Sequence, residues 1–455
     1  MNILLTLVAF IVALGVLIVF HELGHFLAAR LFGVKVLRFS IGFGRALWRF
    51  RSGRDKTEWV IAALPLGGYV KMLDEHEGPV PPEEAHRAFN RQSVWRRVAI
   101  VAAGPAANFL LAVAFYWVLF VAGVQEAKPI VGAPEPGTPA AAAGLERGET
   151  ILKINGEPMA SWQQVRWRML QLAVEKQNVQ LEVVDPKQHL ALRTLDLSTF
   201  DLEGFENDPL ARLGLKLDWP DAEPVVGEVL KGDAAERGGL RPGDRVVSID
   251  GRVTRFWEDV VKIVRSKPEQ DLHFVVRRDG RDMDITLRPA PAKENGQRIG
   301  RIGAGGGKVD PEIRKNRVTL VRYAPVAAFG KSLERTWETT VFSLKMIGKM
   351  VVGQISWRNL SGPVTIADYA GQSAQLGLIA YIQFLALISI SLGVLNLLPI
   401  PLLDGGHLLY YVVEIFKGSP VSERVMELGQ RVGLTLLLFL MAFAIYNDFN
   451  RLLTG

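Results

Sequence analysis

Apolar positions are distributed very unevenly along this chain. Four stretches, residues 3–27, 98–124, 376–398 and 432–446, are almost wholly apolar, and a helix needs about 20 such residues to cross a bilayer. They predict four spans, of which the last is short. Residues 35–50 and 57–72 follow another pattern, β-branched and aromatic residues broken by Gly42, Gly44, Gly67 and Gly68. They read as strands of hairpins. Being too apolar for water, they are expected to dip into the membrane. Residues 324–355 set Phe329, Leu333, Trp337, Val341 and Leu344 on one helical face, with Lys331, Glu334, Arg335 and Glu338 interrupting. This spacing predicts an amphipathic helix lying on the membrane surface.

Composition agrees with a few spans joined to a water-soluble portion. The 455 residues leave room for about three domains, and 49% hydrophobic content with a mean hydropathy of +0.17 is high for a soluble protein but low for an all-membrane one. Placement of charge says more than the net +6. Thirteen Lys and Arg lie between the first two spans, from Arg30 to Arg97, so this loop is expected to be cytoplasmic. The N-terminus, residues 125–375 and the C-terminus then face outward, and 400–431 faces the cytoplasm. The first apolar run lacks a basic flank ahead of it and is expected to stay as a span rather than leave as a signal peptide. With no Cys, disulfides and thiolate metal sites are excluded. Basic runs interleaved with aromatics, the mark of a nucleic-acid surface, are missing.

The outer segment repeats itself. GLERGETILKINGE begins at Gly144, and GLRPGDRVVSIDGR begins at Gly239, 95 residues later. Both fit a tight turn, a buried strand and then a second turn at Asn155-Gly156 or Asp250-Gly251. Two copies of one template resemble bacterial PDZ domains, although small β-rich domains of this kind do not by themselves fix a function.

Chemistry is concentrated at two places. Residues 21–25 spell HELGH in a run whose preceding residues 2–20 are uncharged and whose next charge is Arg30. His21 and His25, four apart on a helix, project from one face at a spacing that suits one Zn²⁺, and Glu22 stands close enough to take a proton from a water at that metal. A lone His is more often a satisfied core residue. Two His and a Glu at membrane depth are costly and point to function. The third span runs into NLLPIPLLDGG, where Asn396, Pro399, Pro401 and Asp404 break a helix at membrane depth, a break tolerated only where the backbone lines protein or a watered cavity. The topology puts it at the depth of HELGH. Asp404 is the candidate third ligand, since a catalytic zinc takes three protein ligands and keeps one position open. Taken alone, Asp404-Gly405-Gly406 beside His407 also reads as a plain turn.

HELGH, the tandem repeat and NLLPIPLLDGG together resemble the site-2 protease family of intramembrane zinc metalloproteases, across essentially the whole chain. The resemblance implies a polytopic α-helical membrane protein of four transmembrane helices, with a membrane-reentrant β-loop and two extracytoplasmic PDZ-like α/β domains. The expected divisions are 1–125, the PDZ-like 126–221 and 222–308, the amphipathic 309–375, and 376–455. It also implies Zn²⁺ on His21, His25 and Asp404, Glu22 as general base, and Asn396 bonding to the substrate backbone or the developing oxyanion. Ser40, Ile41, Gly42, Phe43 and Gly44 would form a strand edge that holds an unwound substrate by β-augmentation. The implied setting is the bacterial inner membrane, with the site near its cytoplasmic face. The implied substrate is a single-span membrane protein such as an anti-sigma factor already trimmed by a first protease, with remnant signal peptides as a second class and the PDZ pair as a size filter. Two other classes stay open. A non-catalytic PDZ scaffold with a structural zinc would have no use for Glu22. A metal-ion transporter would need polar residues along several spans, and spans two and four carry few beyond Asn108 and Thr435.

Overall fold

A computed structural model describes residues 3–198, 200, 209–219, 222–294, 297–307, 315–357 and 362–454. The divisions expected at 221/222 and 308/309 fall beside stretches outside the described residues. Two compact units form, one of Met1–Val124 with Arg322–Asp448 and one of Gln125–Val321 with Phe449–Gly455.

The first unit is helical. Its helices are α1 (Ile3–Leu31), α2 (Val94–Ala122), α3 (Pro325–Val351), α4 (Pro363–Leu376), α5 (Leu378–Leu397), α6 (Asp404–Lys417) and α7 (Glu423–Thr454). Among the described residues four are long and apolar enough to cross a membrane: Ile3–Leu31, Val94–Ala122, Leu378–Leu397 and Glu423–Asn450. The last far exceeds the expected 432–446, because helical hydrogen bonding runs on through polar residues that an apolar count leaves out. Large apolar side chains point outward on these helices, Leu7, Leu110 and Phe439 among them, as a lipid environment allows. On α3 the packed face is small or hydroxylated (Ala328, Ser332, Thr336, Thr339), while Phe329, Leu333, Trp337 and Leu344 are exposed. Helix α2 is the hub, packing on α1, α3, α5 and α6.

Between α1 and α2 run β1 (Val36–Ser52) and β2 (Thr57–Met72), paired antiparallel as the sequence suggests. The register is folded back on itself. Phe39, Ser40 and Ile41 face Val70, Tyr69 and Gly68 on one side and Trp59, Val60 and Ile61 on the other. Within the expected strand edge at 40–44, Ser40 and Ile41 thus have strand partners on both sides. Ser40 and Ile41 are interior to the sheet, and Ser40 is fully buried. Gly42, Phe43 and Gly44 make a bend packed on Leu64, with Gly42 and Gly44 at positive φ. Sequence shows that these residues favour strand, not how many neighbours the strand will have. Two segments have a free side among the described residues: 68–72, which pair only with 36–41, and 46–52, which pair only with 57–62.

The second unit holds two four-stranded antiparallel sheets with the same order. One runs Glu157–Pro158, Thr150–Ile154, Val179–Val184, Leu190–Leu195; the other runs Arg252–Val253, Arg245–Ile249, Leu272–Arg278, Arg281–Leu287. Each sheet carries one longer helix, Trp162–Glu175 or Trp257–Ser266. The shared template has a physical reason at each polar position. Glu149 and Asp244, both buried, accept from Arg193 and Arg278 at 2.7 Å and from the backbone amide three residues before. Burial pushes the Asp244 carboxyl up, but its bonds to Arg278 and to the Arg241 amide outweigh that and hold it below its ordinary value. Asn155 and Asp250 sit at φ 50° and 48°, where Asn and Asp are tolerated, and each accepts an amide from the neighbouring strand, Gln180 at 2.8 Å and His273 at 2.9 Å.

Candidate metal centre

The final turns of α1 carry His21, Glu22 and His25, and the first turn of α6 carries Asp404. Between α5 and α6 the chain doubles back. A Cβ on Gly405 would collide with the carbonyls of Leu397 and Leu398, and one on Gly406 would lie 2.5 Å from the Ile400 carbonyl. Only glycines let the Pro-rich segment close over the first turn of α6, which delivers Asp404 to α1. Helix α7 braces the same segment, its Gly433 pressed against the backbone of Pro401.

The expected residues meet. His21 Nε2 lies 3.2 Å from His25 Nε2 and 3.2 Å from Asp404 Oδ2, and His25 Nε2 lies 3.5 Å from Asp404 Oδ1. Among the described residues these three form the cluster of His, Cys, Asp and Glu able to hold a metal ion. Asn396 reaches the same point, with Nδ2 3.5 Å from His21 Nε2. From the sheet, Gly68 comes close to the site: a Cβ there would stand 2.9 Å from Glu22 Cγ and 2.8 Å from the Ser40 carbonyl.

Whether a cation fits is decided by the donor set. Two neutral imidazole nitrogens and a carboxylate turned on one point are all acceptors, and they repel unless a positive charge lies between them. Asp404 Oδ2 is buried without a hydrogen-bond partner. Four ligands about 2.1 Å from a tetrahedral zinc stand roughly 3.4 Å apart, which matches the observed spacings. His21, His25 and Asp404 fit a zinc.

Residues on α2 complete the arrangement, and sequence did not assign them. His25 Nδ1 lies 2.9 Å from the Ile100 carbonyl, and Asn108 Nδ2 lies 3.2 Å from His21 Nδ1. Gly104 sits between them, where any Cβ would enter the His25 ring. Arg97, on the same face two turns earlier, bonds Glu414 of α6 at 2.5 Å and covers the Tyr411 ring at 4.9 Å, tying the Asp404 helix to α2. The available signals were a glycine inside an apolar helix and the polar Asn108 within a span.

Comparison with known proteins gives the family. Residues 9–440 match the model of peptidase family M50. The chain belongs to that family. Among M50 relatives, the regulator of sigma-E protease of Salmonella typhimurium is 43% identical over 452 residues, 99% of this chain and 100% of that protein. The one of Escherichia coli is 42% identical over 450 residues, 98% of each. A Ralstonia nicotianae protein, provisionally named a zinc metalloprotease, is 43% identical over 469 residues, 99% of each. Four apolar helices and M50 membership make this chain a polytopic helical membrane peptidase.

Proposed function

We propose that this chain is a zinc-dependent intramembrane protease that cuts single-span membrane proteins at the junction of α1 and α6. The observation that carries the reading is the meeting of HELGH with Asp404 at 3.2 and 3.5 Å in a chain of the M50 family. His21, His25 and Asp404 would hold Zn²⁺. When bound, the ion acts as a Lewis acid that polarises a carbonyl and lowers the pKa of water. The rest is done by the chain. Glu22 accepts the proton of the attacking water as its oxygen adds to the scissile carbon, then returns it to the amine nitrogen as the C–N bond breaks. The amide of Asn396 donates to the carbonyl oxygen as charge builds there.

A transmembrane helix bonds all its peptide groups internally, so it must unwind to be cut, and each bare group in hydrocarbon costs several kcal/mol. The free side of residues 68–72, with Gly68 against Glu22, offers those groups partners by strand addition. In this reading the accepting edge is the strand beside the expected Ser40–Gly44, since Ser40 and Ile41 already pair on both sides. Proline scanned through residues 67–70 should find a position that lowers cleavage of a stable helical substrate by about tenfold, the worth of one ~1.4 kcal/mol hydrogen bond. A substrate already weakened by helix breakers should suffer less, and zinc content should hold. Equal rates for both substrates at every position would leave the sheet as a membrane anchor.

The two outer sheets read as PDZ-like domains, and the positive loop between the first spans argues that they lie outside while the site lies near the cytoplasmic face. Sigma-E regulation in the Salmonella and E. coli relatives' names favours an anti-sigma factor as substrate in a bacterial inner membrane, with remnant signal peptides as a second class. The repeats then act as a filter that admits trimmed substrates. One experiment tests the reading. Purified protein should cleave a trimmed single-span substrate, leave the untrimmed form intact, and stop on addition of a zinc chelator. Deleting 128–289 should release cleavage of the untrimmed form. Cleavage indifferent to the chelator defeats the metalloprotease reading, and a deletion that ends cleavage of the trimmed form turns the filter into a delivery device.

A further inference from the structure

Asn108 is wholly buried in α2, and its two amide ends are used unequally. Nδ2 lies 3.2 Å from His21 Nδ1, while Oδ1 is buried with no partner. The other histidine gives the comparison. His25 Nδ1 faces an oxygen, the Ile100 carbonyl at 2.9 Å, on the same face of the same helix two turns earlier. Both rings direct Nε2 toward Asp404 and each other.

An imidazole that ligates through Nε2 is neutral and carries its proton on Nδ1. That N–H needs an acceptor. For His25 the acceptor is a backbone carbonyl. For His21, an Asn108 turned with Nδ2 toward the ring sets two donors face to face and strands the oxygen. The two ends of an amide are nearly alike in shape and differ in donating or accepting, so hydrogen bonding decides which end faces the ring. Rotating the amide by half a turn gives the His21 N–H its acceptor and the orphaned oxygen its donor. The backbone there is fixed, since Ser389 Oγ of α5 donates to the Asn108 carbonyl at 2.7 Å.

We propose that Asn108 is the positioning residue for His21, its side-chain oxygen accepting from Nδ1–H and so fixing the tautomer and ring plane with which His21 meets the metal. This rests on the metal reading above. It assigns to α2 the outer bonds of both imidazoles, from a carbonyl and from an amide oxygen on one helix face. Such partners raise the basicity of a ligand histidine, and losing one costs about 10–100-fold in metal affinity.

The test measures zinc affinity of the full-length purified protein by competition with a chromophoric chelator. Asn108→Asp keeps an acceptor and removes every donor, so it should bind zinc at least as tightly as the parent. Asn108→Leu, which fills similar space with no acceptor, should bind about 10–100-fold more weakly. Parental affinity in Asn108→Leu overturns the proposal. So does an Asn108→Asp protein that loses affinity, because the NH₂ group would then be the working end. The Asp variant decides the matter alone if the Leu variant fails to fold. Asp404→Ala serves as the control: if it retains zinc unchanged, the metal reading falls, and the role of Asn108 falls with it.

Discussion

Replacing Glu22 by Gln should lower cleavage at least about a hundredfold while the protein keeps its zinc. Glu22 stands one position from His21 but outside the three-residue cluster, so the substitution removes no ligand. It is buried, with Cγ against Gly68, and a glutamine of nearly the same volume keeps that packing. The loss is the ability to take the proton of the attacking water, and general-base catalysis is worth about 10²–10⁴-fold. Turnover of a single-span substrate, measured beside zinc content, separates this from a folding defect. Near-normal turnover at full zinc would remove Glu22 from the chemistry.

Asp404→Ala should act on the other quantity. It takes away both carboxylate oxygens that face the imidazoles and leaves two ligands on α1. Apparent zinc affinities of about 10–16 kcal/mol in small protein sites, shared among the ligands, put the loss of one at about 3 kcal/mol or more, a hundredfold or more in affinity. Elemental analysis after dialysis against a chelator should find the variant largely empty and the parent loaded. Full retention would exclude Asp404 as a ligand.

What was readable in the sequence depended on the range of the forces involved. The spans of α1, α2 and α5 follow from apolar runs, and the spacing of His21 and His25 follows from helix geometry. Asp404 could be tied to them because both motifs fall at the same depth, which a topology argument can reach. Sheet order could not be reached, since β-propensity at Ser40 and Ile41 is the same for an interior strand as for an edge. Nor could α4. Its start is capped from afar by Asp448 on α7, which accepts from the amides of Gly362, Val364 and Thr365 and from the Thr365 hydroxyl. A local pattern holds no trace of such a cap. Asn108 was visible as a polar oddity within a span, but its partner lies 87 residues away.

The split of the first unit around Gln125–Val321 has a consequence in time. His21, Glu22 and His25 are made early, and Asp404 follows only after the whole of Gln125–Val321 and the helices beyond it. At about 5–20 residues per second, the gap is on the order of half a minute. Through that interval the nascent chain has His21, Glu22 and His25 without Asp404, so on the proposed mechanism the metal centre would stay incomplete. Under that mechanism the order of the sequence would act as a delay, completing the site only once Gln125–Val321 has been made.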